Sequence, residues 1–254
     1  MGNSLIIAQN ISKTFVAKGL FSAKKENHVL HHVDLEIYNN ETLALVGESG
    51  CGKTTLGRII LGLEKPTDGN ILFEGENIFS KKEVKKEMRK NMQMVFQDPY
   101  ASLDPKMKVE EILMEPLLAN KVYANKKEAR KKVKELLEIV GLNETHMKRY
   151  PYQFSGGQRQ RIGIARALAL EPAFIACDEP VSALDVSVQA QILNLLKEIQ
   201  KNRNLSLLFI SHDLGVVRYI ADRVAIMYLG RICEIGSVEE VYTNPKHPHT
   251  EYLL

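Results

Sequence analysis

Eight residues, Gly47-Glu48-Ser49-Gly50-Cys51-Gly52-Lys53-Thr54, match in full the glycine-rich pattern that cradles phosphate groups, and Thr55 follows directly. The glycines allow a tight turn and a close approach of backbone to phosphate. Lys53 is placed to reach the β and γ phosphates of a nucleoside triphosphate, and the Thr54 hydroxyl to ligate Mg2+. Downstream, the apolar run Phe174-Ile175-Ala176-Cys177 ends in Asp178 and Glu179. A carboxylate at such a strand end can hold the metal through water, and its neighbour can orient or deprotonate the water that attacks the γ phosphate. The competing reading is an acidic pair capping the turn that Pro180 and Ser182 form. His212 follows another apolar strand and a serine, at the kind of strand end where α/β sheets bind ligands. Gln97 stands just after Met94-Val95-Phe96, within reach of metal or water on the same reasoning.

A second glycine turn, Phe154-Ser155-Gly156-Gly157-Gln158, opens a basic helix. Backbone N–H groups at a helix start, together with the helix dipole, favour an anion. One ATP needs one phosphate cradle, so a second cradle points to an ATP held between two protein faces. Cys51 lies inside the first loop beside Lys53. It is open to two readings, a thiol shifted toward thiolate or a small filler.

The elements that must position these residues alternate strand and helix. Val29 to Tyr38 alternates as a half-exposed antiparallel strand, after a polar loop from Lys18 to Asn27. Thr42 to Val46 is a continuous apolar run, as a buried parallel strand requires, and Thr54 to Leu63 supplies the helix after the loop. Asn70 to Phe73 is a strand, and Ser80 to Lys90 a solvated lysine-rich helix. Between Gln97 and Gln158 strand signals fade. Val109 to Leu118 and Lys126 to Val140 have helical periodicity there, the second ended by Gly141. After this helical insertion, the strand Phe174 to Cys177, the helix Ser187 to Lys201 and the strand Leu205 to Ile210 resume the βα order. Arg223 to Tyr228 and Arg231 to Ile235 form a closing hairpin around Gly230.

Composition narrows the classes of partner. The 254 residues carry 34 basic and 31 acidic side chains, for a net charge of +3, so no global field points to nucleic acid or a membrane surface. Cys51, Cys177 and Cys233 are odd in number and widely spaced, against a disulfide framework and in keeping with a reducing cytosol. The start Met1-Gly2-Asn3-Ser4-Leu5 has no signal-peptide pattern, and Ile6 breaks the myristoylation motif. No apolar stretch reaches the length of a bilayer span.

With these motifs in this order, the chain resembles the ATP-binding cassette (ABC) family over nearly its whole length. The motifs are the Walker A loop from Gly47 to Thr54, a Q-loop at Gln97, the signature from Phe154 to Gln158, and a Walker B ending at Asp178-Glu179. A D-loop, Ser182-Ala183-Leu184-Asp185, and a switch histidine, His212, complete the set. The resemblance implies an α/β P-loop NTPase (RecA-like) core with an antiparallel β subdomain and an inserted α-helical subdomain. Residues 1–96 and 160–254 would form the core, and 97–159 the insertion. It also implies ATP and Mg2+, with Thr54, Gln97 and Asp178 on the metal side and Lys53, Glu179 and His212 in catalysis. Phe15 matches the position that stacks on adenine. In the implied head-to-tail dimer, ATP on one subunit is closed over by Ser155, Gly156, Gly157 and Gln158 of the other.

Gln97-Asp98-Pro99-Tyr100-Ala101-Ser102-Leu103-Asp104-Pro105 and His247-Pro248-His249-Thr250 are similar to the ATPases of oligopeptide, dipeptide and nickel importers. Such a subunit sits on the cytoplasmic face of the membrane, beside a second ATPase and two transmembrane permease subunits. An extracytoplasmic solute-binding protein supplies the cargo, and no nucleic acid takes part. Peptide, nickel complex and glutathione all remain open as cargo. A soluble ABC ATPase of DNA repair or translation is the alternative, and a non-hydrolysing nucleotide-binding regulator a third reading. Phe154 replaces the usual leucine and acts in packing.

Overall fold

The alternation of Val29 to Tyr38 is realised, with Val33, Leu35 and Ile37 buried and Asp34 and Glu36 exposed, but the strand that carries it starts earlier. The computed structural model describes residues 3–17, 25–80 and 82–254. In it β1 (Ser4–Ala17) and β2 (Lys25–Tyr38) pair antiparallel. Lys25 to Asn27, expected in a loop, are strand because Ala17, Val16 and Phe15 pair with them in register, so cross-strand partners override polar composition. The rest of that expected loop, 18–24, lies outside the described residues.

In chain order there follow β3 (Thr42–Val46), α1 (Lys53–Ile60), β4 (Asp68–Phe73), β5 (Glu76–Asn77), α2 (Lys82–Asn91) and β6 (Met92–Val95). Next are α3 (Pro99–Ser102), α4 (Val109–Ala119), α5 (Lys126–Ile139), α6 (Gly156–Leu168), β7 (Phe174–Asp178) and α7 (Val186–Arg203). The chain closes with β8 (Ser206–Ser211), α8 (Leu214–Ile220), β9 (Arg223–Tyr228), β10 (Arg231–Ser237), α9 (Val238–Thr243) and α10 (Pro248–Leu253).

Two compact units divide the chain, residues 1–89 with 206–254, and residues 90–205. The first holds an antiparallel sheet in the order β2-β1-β4-β5. It also holds β3, flanked by β8 and β9 as parallel neighbours, with β10 antiparallel to β9 as the expected hairpin. Both β3 and β8 are buried along their whole length, as continuous apolar runs require. Ala44, Val46, Val224 and Ile226 from this sheet pack with Val217 of α8 and Val241 of α9. Each of these valine and isoleucine side chains contributes about 1.5–3 kcal/mol on burial.

In the second unit β6 and β7 pair in parallel, and β7 is buried throughout. Residues 97–159 hold α3, α4, α5 and two short 3-10 turns, and no strand. Asn125 caps α5 by accepting from the Glu128 N–H at 3.0 Å; Ala129, Val133, Leu136 and Leu137 form its buried stripe, and Gly141, at φ 71°, follows its end.

Candidate functional site

In the first unit the parallel register fixes where the phosphate loop begins. Val46, the last residue of β3, lies opposite Ser211 of β8 and Ile226 of β9. Gly47 and His212 therefore leave adjacent strands at the same level, and His212 is exposed. At Gly47 a side chain is excluded, since a Cβ would sit 2.1 Å from the Met227 carbonyl oxygen. Glu48, Ser49 and Gly50 form the exposed rim of the loop, and Cys51 and Gly52 turn inward.

Gly52, at φ 106°, then starts α1 from the left-handed region that other residues avoid. No side chain caps this helix, and its first turn, which holds Lys53, Thr54 and Thr55, has no acidic residue to occupy the positive end of its dipole. Lys53 is 6% exposed, and its Nζ donates to the Gly47 and Glu48 carbonyls at 2.7 and 2.8 Å. A buried ammonium held by two carbonyls, with the Cys51 sulfur 4.0 Å away, inside a turn of N–H groups suits a polyphosphate.

The surroundings of Cys51 favour the thiol over the thiolate. It is 8% exposed, and burial pushes its thiol above the ordinary value even though Lys53 Nζ lies 4.0 Å from the sulfur. It is a filler against Gly47, whose Cβ would fall 2.9 Å from the sulfur. Phe15 is 41% exposed on β1, unusual for a phenylalanine, with Lys13 Nζ 4.7 Å from its ring centroid. The Lys13 ammonium lies over one face of the ring.

The second unit repeats the same logic at other strands. Val95 lies opposite Cys177 in the parallel pair β6 and β7, so two residues beyond each, Gln97 and Glu179 meet. Gln97 Nε2 donates to Glu179 Oε2 at 2.9 Å, across 82 positions of sequence. Asp178 is 4% exposed, and the Cys177 thiol before it is pushed up to about 12 by burial and by that carboxylate. Glu179 sits at φ 44°, left-handed backbone that a glutamate adopts at a cost of about 1 kcal/mol. Its carbonyl accepts from the Ser182 N–H and hydroxyl at 3.3 and 3.1 Å, closing the turn that re-aims the chain after the strand.

Ser155 is the N-cap of α6. Its hydroxyl accepts from the Gln158 N–H at 3.3 Å, while Gln158 Oε1 accepts from the Ser155 N–H at 3.1 Å. This capping box satisfies two of the donors expected to face an anion, which narrows the anion-facing groups to the Gly156 and Gly157 amides. No acidic residue stands in that turn. What packs over Gly157 requires it, since a Cβ there would meet Val188 Cγ1 at 2.3 Å, whereas one on Gly156 would press on Leu184 Cδ2 at 3.2 Å, the end of a side chain that can shift. The D-loop thus lies against the signature turn, and Asp185 caps α7 by accepting from the Val188 N–H at 2.9 Å. Phe154 is 4% exposed and packs edge-on against His146, ring centroids 5.4 Å apart. Sequence reasoning missed Val188 and the Gln97–Glu179 bond, because neither spacing nor motif encodes a contact made by register or by helix packing.

Among the described residues no group of three or more His, Cys, Asp or Glu side chains could hold a metal by itself. The Thr54 hydroxyl and the Asp178 carboxylate are hard oxygen donors of the kind that suit Mg2+, which takes one or two protein oxygens and completes its shell with phosphate and water. Among the described residues no helix is long and apolar enough to cross a membrane.

A sequence model described as ABC transporter matches residues 30–182. The chain is 57% identical over 224 residues to the oligopeptide transport ATP-binding protein OppF of Bacillus subtilis (strain 168), covering 87% of this chain and 73% of that protein. It is 53% identical over 234 residues to the dipeptide transport ATP-binding protein DppF of Lactococcus lactis subsp. cremoris (strain MG1363), covering 91% and 75%. Among solved structures, the dimeric post-hydrolysis state of the ATP-binding cassette MJ0796 bound to ADP and Pi superimposes with a TM-score of 0.80 at 30% identity, covering 92% of this chain and 98% of that one. The cbiO1 protein of Clostridium perfringens, part of the transporter complex cbiONQ, gives 0.81 at 27% identity, covering 95% and 92%. Loop, strand ends, signature helix and relatives converge on one conclusion: this chain belongs to the ABC transporter family, as one of its ATPase subunits.

Proposed function

We propose that this subunit hydrolyses ATP to power the uptake of peptides, or of a related small solute or metal complex, through two transmembrane permease subunits. The names of the OppF and DppF relatives support the cargo class. The observation that carries the mechanism is the start of α6, a second anion-ready helix end in a chain whose own ATP is served by the loop before α1. In a head-to-tail dimer the Gly156 and Gly157 amides of one subunit close over the γ phosphate held by Lys53 of the other. The similarity to MJ0796, a cassette that is dimeric when bound to ADP and Pi, supports a dimer.

In this reading Phe15 stacks on the adenine, and the loop from Gly47 to Thr55 wraps the phosphates. Thr54, Gln97 and Asp178 would hold Mg2+, which would supply positive charge to the phosphate oxygens. Glu179 takes the proton of the attacking water, and His212 orients the γ phosphate. Gln97 is the hinge between hydrolysis and the segment from Asp98 to Pro105, which faces a permease subunit. The subunit works at the cytoplasmic face of the membrane, with a solute-binding protein delivering cargo from outside. No observation on this chain favours a role in DNA repair or translation.

Co-expression with permease genes from the same genome tests this reading. The complex should co-purify with two membrane proteins and take up peptide with ATP. Glu179→Gln should keep ATP binding but lower turnover roughly 100-fold or more. Near-normal turnover removes Glu179 from catalysis, and a complex that hydrolyses ATP without moving peptide overturns the cargo assignment.

A further inference from the structure

Arg159 is a guanidinium buried to 4% exposure on α6, two residues beyond Gly157, and among the described residues no carboxylate pairs with it. Its charge is met by three uncharged groups. Nε donates to the Pro151 carbonyl at 2.7 Å, Nη2 to the Tyr152 carbonyl at 3.3 Å, and the guanidinium carbon lies 3.5 Å from the centroid of the Tyr100 ring. A desolvated cation without a counter-ion depends on every partner it has, and the π face of Tyr100 is the one that comes from elsewhere in the chain.

The two sides of this contact belong to the two machines described above. Pro151 to Gln153 is the 3-10 turn that delivers Phe154 and Ser155 to the start of α6. Tyr100 lies on α3, three residues after Gln97, and its N–H is held by Asp98 Oδ1 at 2.7 Å. A second arginine of α6 repeats the clamp two helical turns on, where Arg166 donates to the Ser102 carbonyl at the other end of α3. The segment that begins at Gln97 is thus fastened to the signature helix at both its ends. Tyr100 itself is 63% exposed, so its ring contributes little to the core; what it covers is Arg159.

We propose that Tyr100 and Arg159 are positioning residues for the reaction, with the stack tying the turn before Ser155 to the segment beyond Gln97. The Gly156 and Gly157 amides then take their place according to the Gln97–Glu179 bond, and the signature is presented correctly only when the hydrolytic residues are set. Its role in turnover rests on the head-to-tail reading above; the tie itself is a property of one chain.

Hydrogen exchange of the full chain, read by mass spectrometry, tests the tie. Tyr100→Leu keeps bulk but removes the π face, and should speed exchange of the amides from 152 to 158 about fivefold to tenfold while leaving those of α1 unchanged. Tyr100→Phe retains the face and should stay within about twofold of the parent. Melting temperature should fall by only about 2–4 °C in Tyr100→Leu, the fall that a loss of this size implies for a chain of this length, and stay with the parent in Tyr100→Phe. Parental exchange in Tyr100→Leu overturns the proposal, as does a Phe variant that behaves like Leu. In a Glu179→Gln background, ATP-driven self-association should weaken about tenfold for Tyr100→Leu and recover in Tyr100→Phe. If the Glu179→Gln chain with Tyr100 intact fails to associate at all with ATP, the dimer reading falls, and the exchange result reports on the tie separately.

Discussion

Gly157→Ala isolates the packing beneath the signature turn. The new Cβ would lie 2.3 Å from Val188 Cγ1, more than 1 Å short of the ~3.5 Å at which carbon atoms rest. Rotating Val188 gives little relief, because a β-branched residue in a helix has one strongly preferred rotamer. Sliding α7 is resisted by the Asp185 cap, whose carboxylate holds the Val188 N–H itself. The strain of forcing a methyl into such a place is about 1–3 kcal/mol. For a chain of this size each 1 kcal/mol lowers the melting temperature by about 2–4 °C, so a fall of several degrees is expected by calorimetry. Val188→Ala on top of it removes Cγ1 and leaves Val188 Cβ, 3.6 Å away and in ordinary contact. The double variant should therefore be more stable than the sum of the two singles predicts, by at least about 1 kcal/mol. A Gly157→Ala protein that melts with the parent, or a double variant that is merely additive, refutes the reasoning.

Gly163, six residues along the same helix, is the counterpart: nothing lies within 4 Å of its Cβ position, so Gly163→Ala should stabilise the chain by about 0.5–1 kcal/mol in denaturant titration, and destabilisation would count against the placement of α6. Because burial raises the Cys51 thiol above its ordinary value of 9.0, its thiolate fraction at pH 7 is small and grows about tenfold per pH unit up to that raised value. Maleimide modification of Cys51, read by mass spectrometry, should therefore be slow at neutral pH and climb steeply with pH; fast labelling at pH 7 would restore the thiolate reading.

Much of the site was legible because its chemistry is local. The loop from Gly47 to Thr54 carries its glycines, lysine and hydroxyl in eight consecutive positions, and β3 and β7 announce themselves as unbroken apolar runs before Gly47 and Asp178. β1 was not legible. Its register shifts between Ala8 and Ile11 and again near Lys13, with Asn10 at φ 53°, so the inward and outward faces exchange along the strand and no alternation survives in the sequence. The beginning of β2 was hidden for the same reason, since only its partner makes Lys25 to Asn27 a strand. Gln97 could be named but its partner could not: the bond to Glu179 exists because β6 and β7 pair in one particular register, a fact of tertiary structure. The capping box at Ser155 was present in the sequence as serine followed three residues later by glutamine. The glycines between them give the same stretch a phosphate-binding pattern, which masks the capping box.

The two carbonyl bonds of Lys53 give the loop a resident occupant of its own. The ammonium braces the turn from within, so the cradle keeps its shape between one nucleotide and the next. The entropy of ordering those residues is met once, when the chain folds, and is not charged again at each binding event. In the proposed dimer, exchange of spent for fresh nucleotide is then set by how fast the ligand leaves and how soon the partner face reopens.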